Sequence, residues 1–383
     1  MLNSPSQLRI DSGLHAFYNC PLIFSAVLYH ISAEANLLSD DSSSIIMQRL
    51  SNGSVATILD RIDAGGSRVF TVEHTKAASP QMHIVDNGTN RLTVFEGDEV
   101  VTEYVYLGIK ARPYLFPLHE PGGIGVTRSF PMNSIPNETT DHPHHRSLWF
   151  AHGDVNGVDN WSEETGHGHT KHIQFDGFEQ GPACAQFRST GLWTSAAGDP
   201  ILTQYLTATF WKATDTERLM DFEVTLSANA ISDDLVFGDT KEGGILSVRV
   251  ASSMDVKRGG SISNVYGGID EQECWGKPSQ WCSYTGNVND QHCGIAIFNH
   301  PDSFRAPTTW HVRNYGLMTA NPFGYSEFTQ GRVNGSYTLR AGDELKFRYR
   351  VAVHRDVGFN ALCANHFLAY AFPPQATIIA KYE

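Results

Sequence analysis

The sequence has few of the features that mark a protein of nucleic acids or membranes. Lys and Arg number 28 against 41 Asp and Glu, which gives a formal net charge of −13. Nucleic acids and anionic membranes are bound by basic faces, so this acidic balance argues against both as partners. No apolar stretch reaches the roughly 18–20 residues that span a bilayer. We therefore expect a soluble protein.

Closely spaced cysteines are also lacking. The six cysteines form no C-x-x-C pair, the spacing that is typical of zinc sites and redox motifs. A chain of 383 residues can bury a large core and does not depend on disulfide bonds. We expect buried free thiols.

A secretion signal is only weakly indicated. Residues 21–29 are apolar, and Ala33-Glu34-Ala35 resembles a small-residue cleavage site. The segment before them carries Asp11 beside a single Arg9, which is a poor n-region for a signal peptide. A cytoplasmic location is the expectation, with export as the alternative.

Alternation of apolar and polar residues runs through the whole chain, whereas βαβ alternation, internal repeats and low-complexity linkers are lacking. This pattern predicts an all-β protein, a large antiparallel two-sheet β-sandwich, as one domain over residues 1–383. Residues 1–80 are expected to add N-terminal strands to the main body, and residues 81–360 to carry the motifs. Helical periodicity predicts only a short C-terminal helix over residues 358–371. The clearest predicted strands are Ser54–Leu59, Arg68–His74, Arg91–Phe95, Glu99–Leu107, Ile201–Trp211, Arg218–Leu226, Gly244–Ala251, Gly294–Asn299 and Glu344–His354.

The pattern of the strand Glu344–His354 predicts which of its side chains are buried. It places Leu345, Phe347, Tyr349, Val351 and Val353 on an inner face. Lys346, Arg348, Arg350 and His354 fall on the other face. A register slip of one residue would bury the cations instead, so we expect the apolar set to be buried and Lys346 and Arg348 to be exposed.

Histidine is concentrated in one short region. Seven of the 17 histidines lie within residues 142–172: His142, His144, His145, His152, His167, His169 and His172. Histidine titrates near neutral pH and is the commonest metal ligand. In an extended strand His142 and His144 would share a face, with His145 on the other. Three interpretations stay open: acid–base or substrate-binding imidazoles, a metal site of His142, His144 and His152 (or Asp154), and edge histidines that only bind loops.

Two further segments carry polar groups at strand ends. Residues 237–244 place Asp239, Thr240, Lys241 and Glu242 between glycines, where Lys241 or Glu242 can act as an acid, a base or a hydroxyl anchor. In residues 309–324 the strand pattern puts His311, Arg313 and Tyr315 on one face, a polar lining that suits a polyhydroxylated ligand. The alternatives are a solvated hairpin turn and a network that closes loops.

Five of the seven tryptophans sit within or beside these segments. Trp275, followed by Gly276, is the strongest candidate for stacking on a pyranose, because the glycine suggests an exposed turn.

Several of these segments, taken in order, are similar to a soluble bacterial family labelled PmoA-like, whose biochemistry is unassigned. The similarity covers roughly residues 50–360. It rests on Arg112-Pro113-Tyr114 with Pro117, Asp141–Asp154, Gly238–Gly244, Trp275-Gly276 with Trp281, Gly294–Pro301 and Trp310–Gly324. The label refers to a membrane oxygenase subunit built of hydrophobic helices, which this chain does not resemble. One departure from the family pattern is Asn160 before Trp161, where an aromatic residue is expected.

The resemblance implies a fold of the galactose-mutarotase-like supersandwich type and a carbohydrate ligand. Mutarotase-like chemistry uses an imidazole and a carboxylate on opposite sides of a sugar ring, without metal or organic cofactor. By residue type, His144 or His145 would be the acid–base group, and Glu242 or Asp154 the opposing carboxylate. The expected substrate-binding residues are His142, Arg146, His152, Lys241, Trp275, His311, Arg313, Asn314, Tyr315 and Asn321.

The sequence thus predicts acid–base chemistry on a sugar or keto-sugar: epimerisation, elimination or hydrolysis. The alternatives are a non-catalytic carbohydrate-binding module and an enzyme that uses zinc or a similar divalent metal. A small-molecule carbohydrate is the expected partner.

Overall fold

The structure is a computed structural model that describes residues 7–26, 31, 35–75, 79–228, 234–355 and 359–379. Strands dominate it, as the alternating pattern predicts. The N-terminal strands are β1 (Gln7–Asp11), β2 (Phe17–Ser25), β3 (Leu37–Ser39), β4 (Ser44–Ile46), β5 (Gln48–Arg49), β6 (Ser54–Ile62) and β7 (Ser67–Glu73). They are followed by β8 (Met82–Asp86), β9 (Arg91–Glu96), β10 (Glu99–Val105), β11 (Tyr114–Leu115) and β12 (Leu148–His152).

The remaining strands are β13 (His169–Glu179), β14 (Cys184–Thr194), β15 (Pro200–Trp211), β16 (Glu217–Ala228), β17 (Leu235–Phe237), β18 (Gly243–Arg249), β19 (Ser261–Asn264), β20 (Trp281–Val288), β21 (Gln291–Asn299), β22 (Trp310–Arg313), β23 (Leu317–Ala320), β24 (Tyr337–Leu339), β25 (Glu344–Arg355) and β26 (Gln375–Ile379). The α-helices are α1 (Asp270–Cys274), α2 (Tyr325–Thr329) and α3 (Phe359–Ala371). Short 3₁₀ turns cover Ser252–Met254 and Val256–Arg258.

Two antiparallel eight-stranded sheets form the sandwich. The front sheet has the order β22-β23-β18-β12-β11-β10-β9-β8, and the back sheet has the order β13-β14-β15-β16-β25-β21-β20-β19. Their facing sides share one large apolar core, in which Leu148 and Val248 of the front sheet meet Phe222 and Phe347 of the back sheet. The predicted all-β two-sheet sandwich with a short C-terminal helix is confirmed.

The N-terminal strands pair with one another and with β26, and not with the two large sheets. They form a five-stranded sheet, β26-β1-β7-β3-β4, and a three-stranded sheet, β2-β6-β5, around their own apolar cluster. A third cluster, with Ala56, Trp211 and Tyr370, joins these strands and α3 to the outer side of the back sheet. The expected single domain over residues 1–383 stays a prediction.

Strand β25 confirms the predicted inner face. Leu345, Phe347, Tyr349, Val351 and Val353 are buried, with Lys346 exposed and Arg348 half-buried. Its outer side differs from the prediction at the C-terminal end, where Arg350 and His354 are also buried. The reason is that α3 lies over this end of the strand and places the Tyr370 ring 4.6 Å from the Arg350 guanidinium.

The helix and cysteine predictions also hold. Helix α3 matches the predicted helix, apart from Gly358, which lies outside the described residues, as do Ala33 and Glu34 of the cleavage-like sequence. All six cysteines are free and buried, and burial raises the pKa of the Cys20 and Cys184 thiols to about 12. Among the described residues no helix is long and apolar enough to cross a membrane.

Candidate functional site

The histidine segment forms a tight turn at the outer side of the front sheet, just before β12. The His145 amide donates to the His142 carbonyl at 3.0 Å, and His142 has a φ of 43°. Non-glycine residues rarely adopt this left-handed conformation, and such residues are found preferentially at functional sites. The segment is therefore a turn and not an extended strand. Because the chain turns, all three imidazoles come together instead of alternating between two faces.

Four rings form a column that fixes His142. The His142 ring stacks on Tyr315 at 5.1 Å and on His145 at 4.8 Å. His145 in turn stacks on the buried Trp149 at 5.3 Å. The column links the turn before β12 to the turn after β22, so two segments that are 170 residues apart in sequence meet in one place.

Asp141 anchors the exposed His142 from the side. A carboxylate oxygen of Asp141 lies 2.5 Å from His142 Nδ1. Asp141 also accepts hydrogen bonds from the fully buried Arg128 at 3.0 Å and Arg249 at 2.9 Å. Partial burial would raise the pKa of Asp141, but the hydrogen bonds from His142 and Arg249 outweigh it and hold the pKa well below the usual range. The carboxylate thus stays charged and engages Nδ1, so Nε2 of the exposed His142 side chain is the ring nitrogen left for another partner.

His145 is not suited to the acid–base role that the sequence assigned to it. Arg249 Nη1 lies 3.2 Å from His145 Nδ1, and since a guanidinium only donates, Nδ1 must accept and Nε2 carries the proton. Burial, with nearby His144 and Arg249 adding to it, lowers the pKa of His145 well below its usual value. His145 is therefore a neutral, buried positioning group for the column.

His144 keeps a more open environment. Its ring lies edge-on to His145 at 4.5 Å and to Trp161 at 6.3 Å. Burial lowers the pKa of His144 to about 4, with Arg112 and His142 acting in the same direction. At neutral pH its imidazole is uncharged and can form hydrogen bonds with a ligand.

Arg146 is committed to a protein partner instead of a hydroxyl group. Its Nε and Nη2 donate to the two oxygens of the buried Glu163 carboxylate at 2.8 and 2.9 Å. This bidentate pair ties the histidine turn to the segment after Trp161.

Glu242 lies beside the histidine turn. Its side chain is exposed, yet the protein packed around the carboxylate raises its pKa, with the charges of Lys241 and His142 opposing the change. The electrostatic effect of His142 on Glu242 shows that the two side chains lie near each other. Burial raises the pKa of the Tyr315 hydroxyl, and the nearby charge of Glu242 acts in the same direction. Lys241 lies next to it, 3.8 Å from Glu327 of α2.

Strand β22 brings the third predicted segment to the same place. Arg313 lies 5.7 Å from the centre of the Tyr315 ring and pairs with Glu271 of α1 at 3.3 Å. His311 is buried near Trp275, at 6.4 Å between ring centroids, and burial lowers its pKa to about 3. Trp275 is half-buried against Phe328 at 5.0 Å, so it is less exposed than the following glycine suggested.

His152 and Asp154 are held by the protein itself. His152 is buried between Phe237 and Phe323, its Nε2 lies 3.0 Å from the Gly238 carbonyl, and burial lowers its pKa to about 4. Asp154 accepts a hydrogen bond from the Gly157 amide at 2.8 Å and packs against Gly238. Their predicted roles in binding and catalysis are corrected. Both residues shape the turn that leads to Glu242.

Asn314 and Asn321 also bind groups of the protein itself. The side-chain oxygen of Asn314 accepts from the Glu271 backbone amide at 3.0 Å, and the backbone amide of Asn314 donates to the Glu271 carboxylate at 2.9 Å. The side-chain amide of Asn321 donates to the Thr240 and Lys241 carbonyls, while its oxygen accepts from the amides of residues 323 and 324. Both ends of the Asn321 side chain are thus engaged by the protein, which corrects its predicted role in sugar binding, whereas Asn314 uses only its side-chain oxygen and stays a predicted binding residue.

Replacement of Asn321 by alanine is expected to destabilise the fold by roughly 1–3 kcal/mol, because buried backbone groups lose their partners. Urea denaturation measures this change in the free energy of unfolding. Asn334→Ala is the control, since Asn334 is exposed and makes one local hydrogen bond. If Asn321→Ala unfolds like the wild type and only weakens sugar binding, Asn321 is a ligand-binding residue after all.

The structure does not assemble the alternative metal site. Within the described ranges no group of three or more His, Cys, Asp or Glu residues is arranged to hold a metal ion. His152 lies in its own buried aromatic pocket, whereas His142 and His144 belong to the turn around the ring column.

The spacing of the histidines does not point to three residues that help to position His142: Asp141, Arg128 and Arg249. Arg249 did carry a signal, because it is a lone cation in the apolar stretch of β18. A buried arginine in such a strand needs a carboxylate partner, and Asp141 is that partner.

Comparison with known proteins places the chain in a family. The model of DUF6807, a family of unknown function, matches residues 91–366. No curated protein matches the chain. A crystal structure of a glycosyl hydrolase family 38 protein from Enterococcus faecalis is similar at 10% identity and a TM-score of 0.44. The similarity covers 100% of this chain and 48% of that chain, so this chain spans about half of its length. With nearly three quarters of its residues matched by the family model, the chain belongs to the DUF6807 family.

Proposed function

We propose that the chain acts on a sugar or keto-sugar by acid–base proton transfer, with His142 and Glu242 as the two transferring groups. The observation that carries the proposal is the contact of 2.5 Å between Asp141 and His142 Nδ1. A charged carboxylate that engages one imidazole nitrogen orients the ring and determines which nitrogen is left to exchange a proton with a ligand. This assignment moves the acid–base role from His144 and His145 to His142.

Glu242 suits the opposing role. Its raised pKa keeps the carboxyl protonated to a higher pH than an ordinary glutamate, which favours proton donation. His142 Nε2 would take a proton from a hydroxyl group, or from the carbon next to a carbonyl. Glu242 would give a proton to an oxygen or carbon of the sugar. Epimerisation, elimination and hydrolysis all use such a pair.

The surrounding groups suit a polyhydroxylated ligand. Arg313, Lys241 and the neutral His144 can donate hydrogen bonds, and Tyr315 offers a hydroxyl beside the ring column. The resemblance to the PmoA-like family points the same way, and we propose that relationship as well. No metal or organic cofactor is needed for this chemistry.

The proposal predicts chemistry that is visible in heavy water. Aldohexoses, their methyl glycosides and the corresponding keto-sugars are incubated with the protein in D₂O and followed by ¹H NMR. We expect at least one of them to exchange a carbon-bound hydrogen, epimerise, eliminate or hydrolyse with the wild type and not with His142→Ala. Binding without any reaction by either protein would favour the carbohydrate-binding module. Reaction at equal rates by both proteins would exclude His142 as the proton-transferring group.

A further inference from the structure

A pocket lies on the opposite side of the sandwich from the histidine turn. A cleft of about 750 Å³ separates the outer face of the back sheet from the N-terminal strands and α3. Its sheet side is formed by residues that alternate with core residues along β14, β15, β16 and β25. They include Arg188, Thr207, Asp221, Glu223, Arg348 and Arg350.

Two buried donors line this cleft and lack partners. Arg350 Nη1 and the Tyr370 hydroxyl find no hydrogen-bond partner among the described residues, although Arg350 is 2% exposed and Tyr370 is 8% exposed. Burial raises the pKa of Tyr370 far above its usual value, so the phenol keeps its proton. Buried polar groups are nearly always satisfied, so these two point to a ligand with acceptor atoms.

The charged side chains of the cleft form ion pairs with one another or with neighbouring residues of the protein. Arg350 donates to Asp221 through two nitrogens, at 2.6 and 2.8 Å, and Arg348 lies 3.2 Å from Glu223. Arg188 lies 3.4 Å from Glu179. Because each cation has its own carboxylate, the cleft does not favour a phosphate or another anion. Hydroxyl groups, which both donate and accept, match its mixture of guanidinium, carboxylate and threonine side chains.

The cleft extends sideways along the sheet. A shallower depression of about 460 Å³ on β13–β15 shares Arg188 and Thr207 with it and includes Tyr205, which is 45% exposed. Five adjacent strands, from β13 to β25, make this surface about 19 Å wide at the usual strand spacing. The surface is therefore longer than a single sugar ring, and an exposed tyrosine ring is a platform on which a pyranose can stack.

We propose that this surface is a second carbohydrate site, which binds an uncharged oligosaccharide independently of the histidine site. Tyr205 stacks on one sugar unit, and Arg350 and Tyr370 bind hydroxyl oxygens at the closed end. The surface is the face of a sheet, and its strands β14, β15 and β16 are each paired on both sides, so their backbone groups are not open to an extended peptide.

Calorimetric titration of the full-length protein with cellohexaose, xylohexaose, maltohexaose and mannohexaose tests the proposal. We expect at least one of them to bind. Thr207→Trp, which fills the junction of the two depressions, should weaken that binding at least about tenfold, the loss of about 1.4 kcal/mol. Tyr205→Ala, at an exposed position, should weaken it without affecting the fold. Tyr370→Phe should weaken it by removing one hydroxyl group.

Glu242→Gln separates this site from the histidine site, since it should bind the hexasaccharide like the wild type. If Glu242→Gln binds the hexasaccharide like the wild type, the result supports the second site, even when no sugar reacts in the heavy-water experiment. The proposal is overturned if none of the four hexasaccharides binds. It is also overturned if Thr207→Trp and Tyr205→Ala bind as the wild type does, or if Glu242→Gln alone abolishes binding.

Discussion

Acidification from pH 6.5 to 4.5 is expected to remove several kcal/mol from the free energy of unfolding. Burial lowers the pKa of His152 to about 4 and that of His311 and His354 to about 3. In the unfolded chain these groups titrate near 6.5, so below that pH the unfolded state binds more protons than the folded state. Their contribution is complete above about pH 6.5 and is lost as the pH falls towards the folded-state values.

Each such histidine changes stability by up to about 1.4 kcal/mol per pH unit, and three together by about 4 kcal/mol per unit. Asp255 opposes them, because burial raises its pKa to about 6 and the folded state then holds a proton that the unfolded state has lost. Glu242, whose pKa is also raised, acts in the same direction as Asp255, but two carboxyl groups do not offset three histidines. Stability should therefore still fall steeply with decreasing pH.

Urea denaturation at half-unit steps from pH 7.5 to 4.5 measures this slope. His152→Gln should flatten it, because one buried titrating group is removed. His15→Gln, at an exposed position, controls for the substitution itself. A stability that stays constant over this range would contradict the burial of these histidines as neutral rings.

Replacement of His142 by alanine is expected to lower turnover of the reacting sugar by about 10²- to 10⁴-fold, the usual contribution of a general acid or base. Because the His142 side chain is 41% exposed, the fold should survive the change. Glu242→Gln should have an effect of the same order, since it keeps the shape of the side chain and removes its proton transfer.

The neighbouring histidines provide the contrast. His145→Ala should lower the melting temperature, because it opens the ring column beside Trp149 and removes the acceptor of Arg249 Nη1. His167→Ala, in the same histidine-rich region but outside the column, should leave turnover unchanged. Steady-state kinetics and thermal unfolding of the three variants distinguish these roles. Full activity of His142→Ala would refute the assignment.

The sheet architecture could be predicted because period-two alternation depends on local sequence alone. Strand β25 shows both the strength and the limit of this reasoning. Its inner face was predicted residue by residue, whereas the burial of Arg350 and His354 depends on α3, which only the tertiary structure places there. The separate pairing of the N-terminal strands could not be predicted either, because sequence periodicity does not specify a strand's partner.

The candidate site was located by residue type, but the roles of its residues were not. His142, Glu242, Arg313 and Tyr315 do converge, as their ring contacts and mutual charge effects show. The roles of His145 and Asn321 depend on which backbone or guanidinium groups reach them, and spacing carries no such information. The left-handed backbone of His142 was equally hidden, because a histidine-proline sequence does not require it.

The central claim is that a sugar lies between His142 and Glu242, and a crystal structure of Glu242→Gln with the reacting sugar bound tests it most directly. We expect one oxygen or carbon of the sugar within hydrogen-bonding reach of His142 Nε2, about 2.6–3.2 Å for an oxygen, with residue 242 on the opposite side of the ring. A sugar bound away from both residues, with His142 Nε2 facing solvent, would contradict the account.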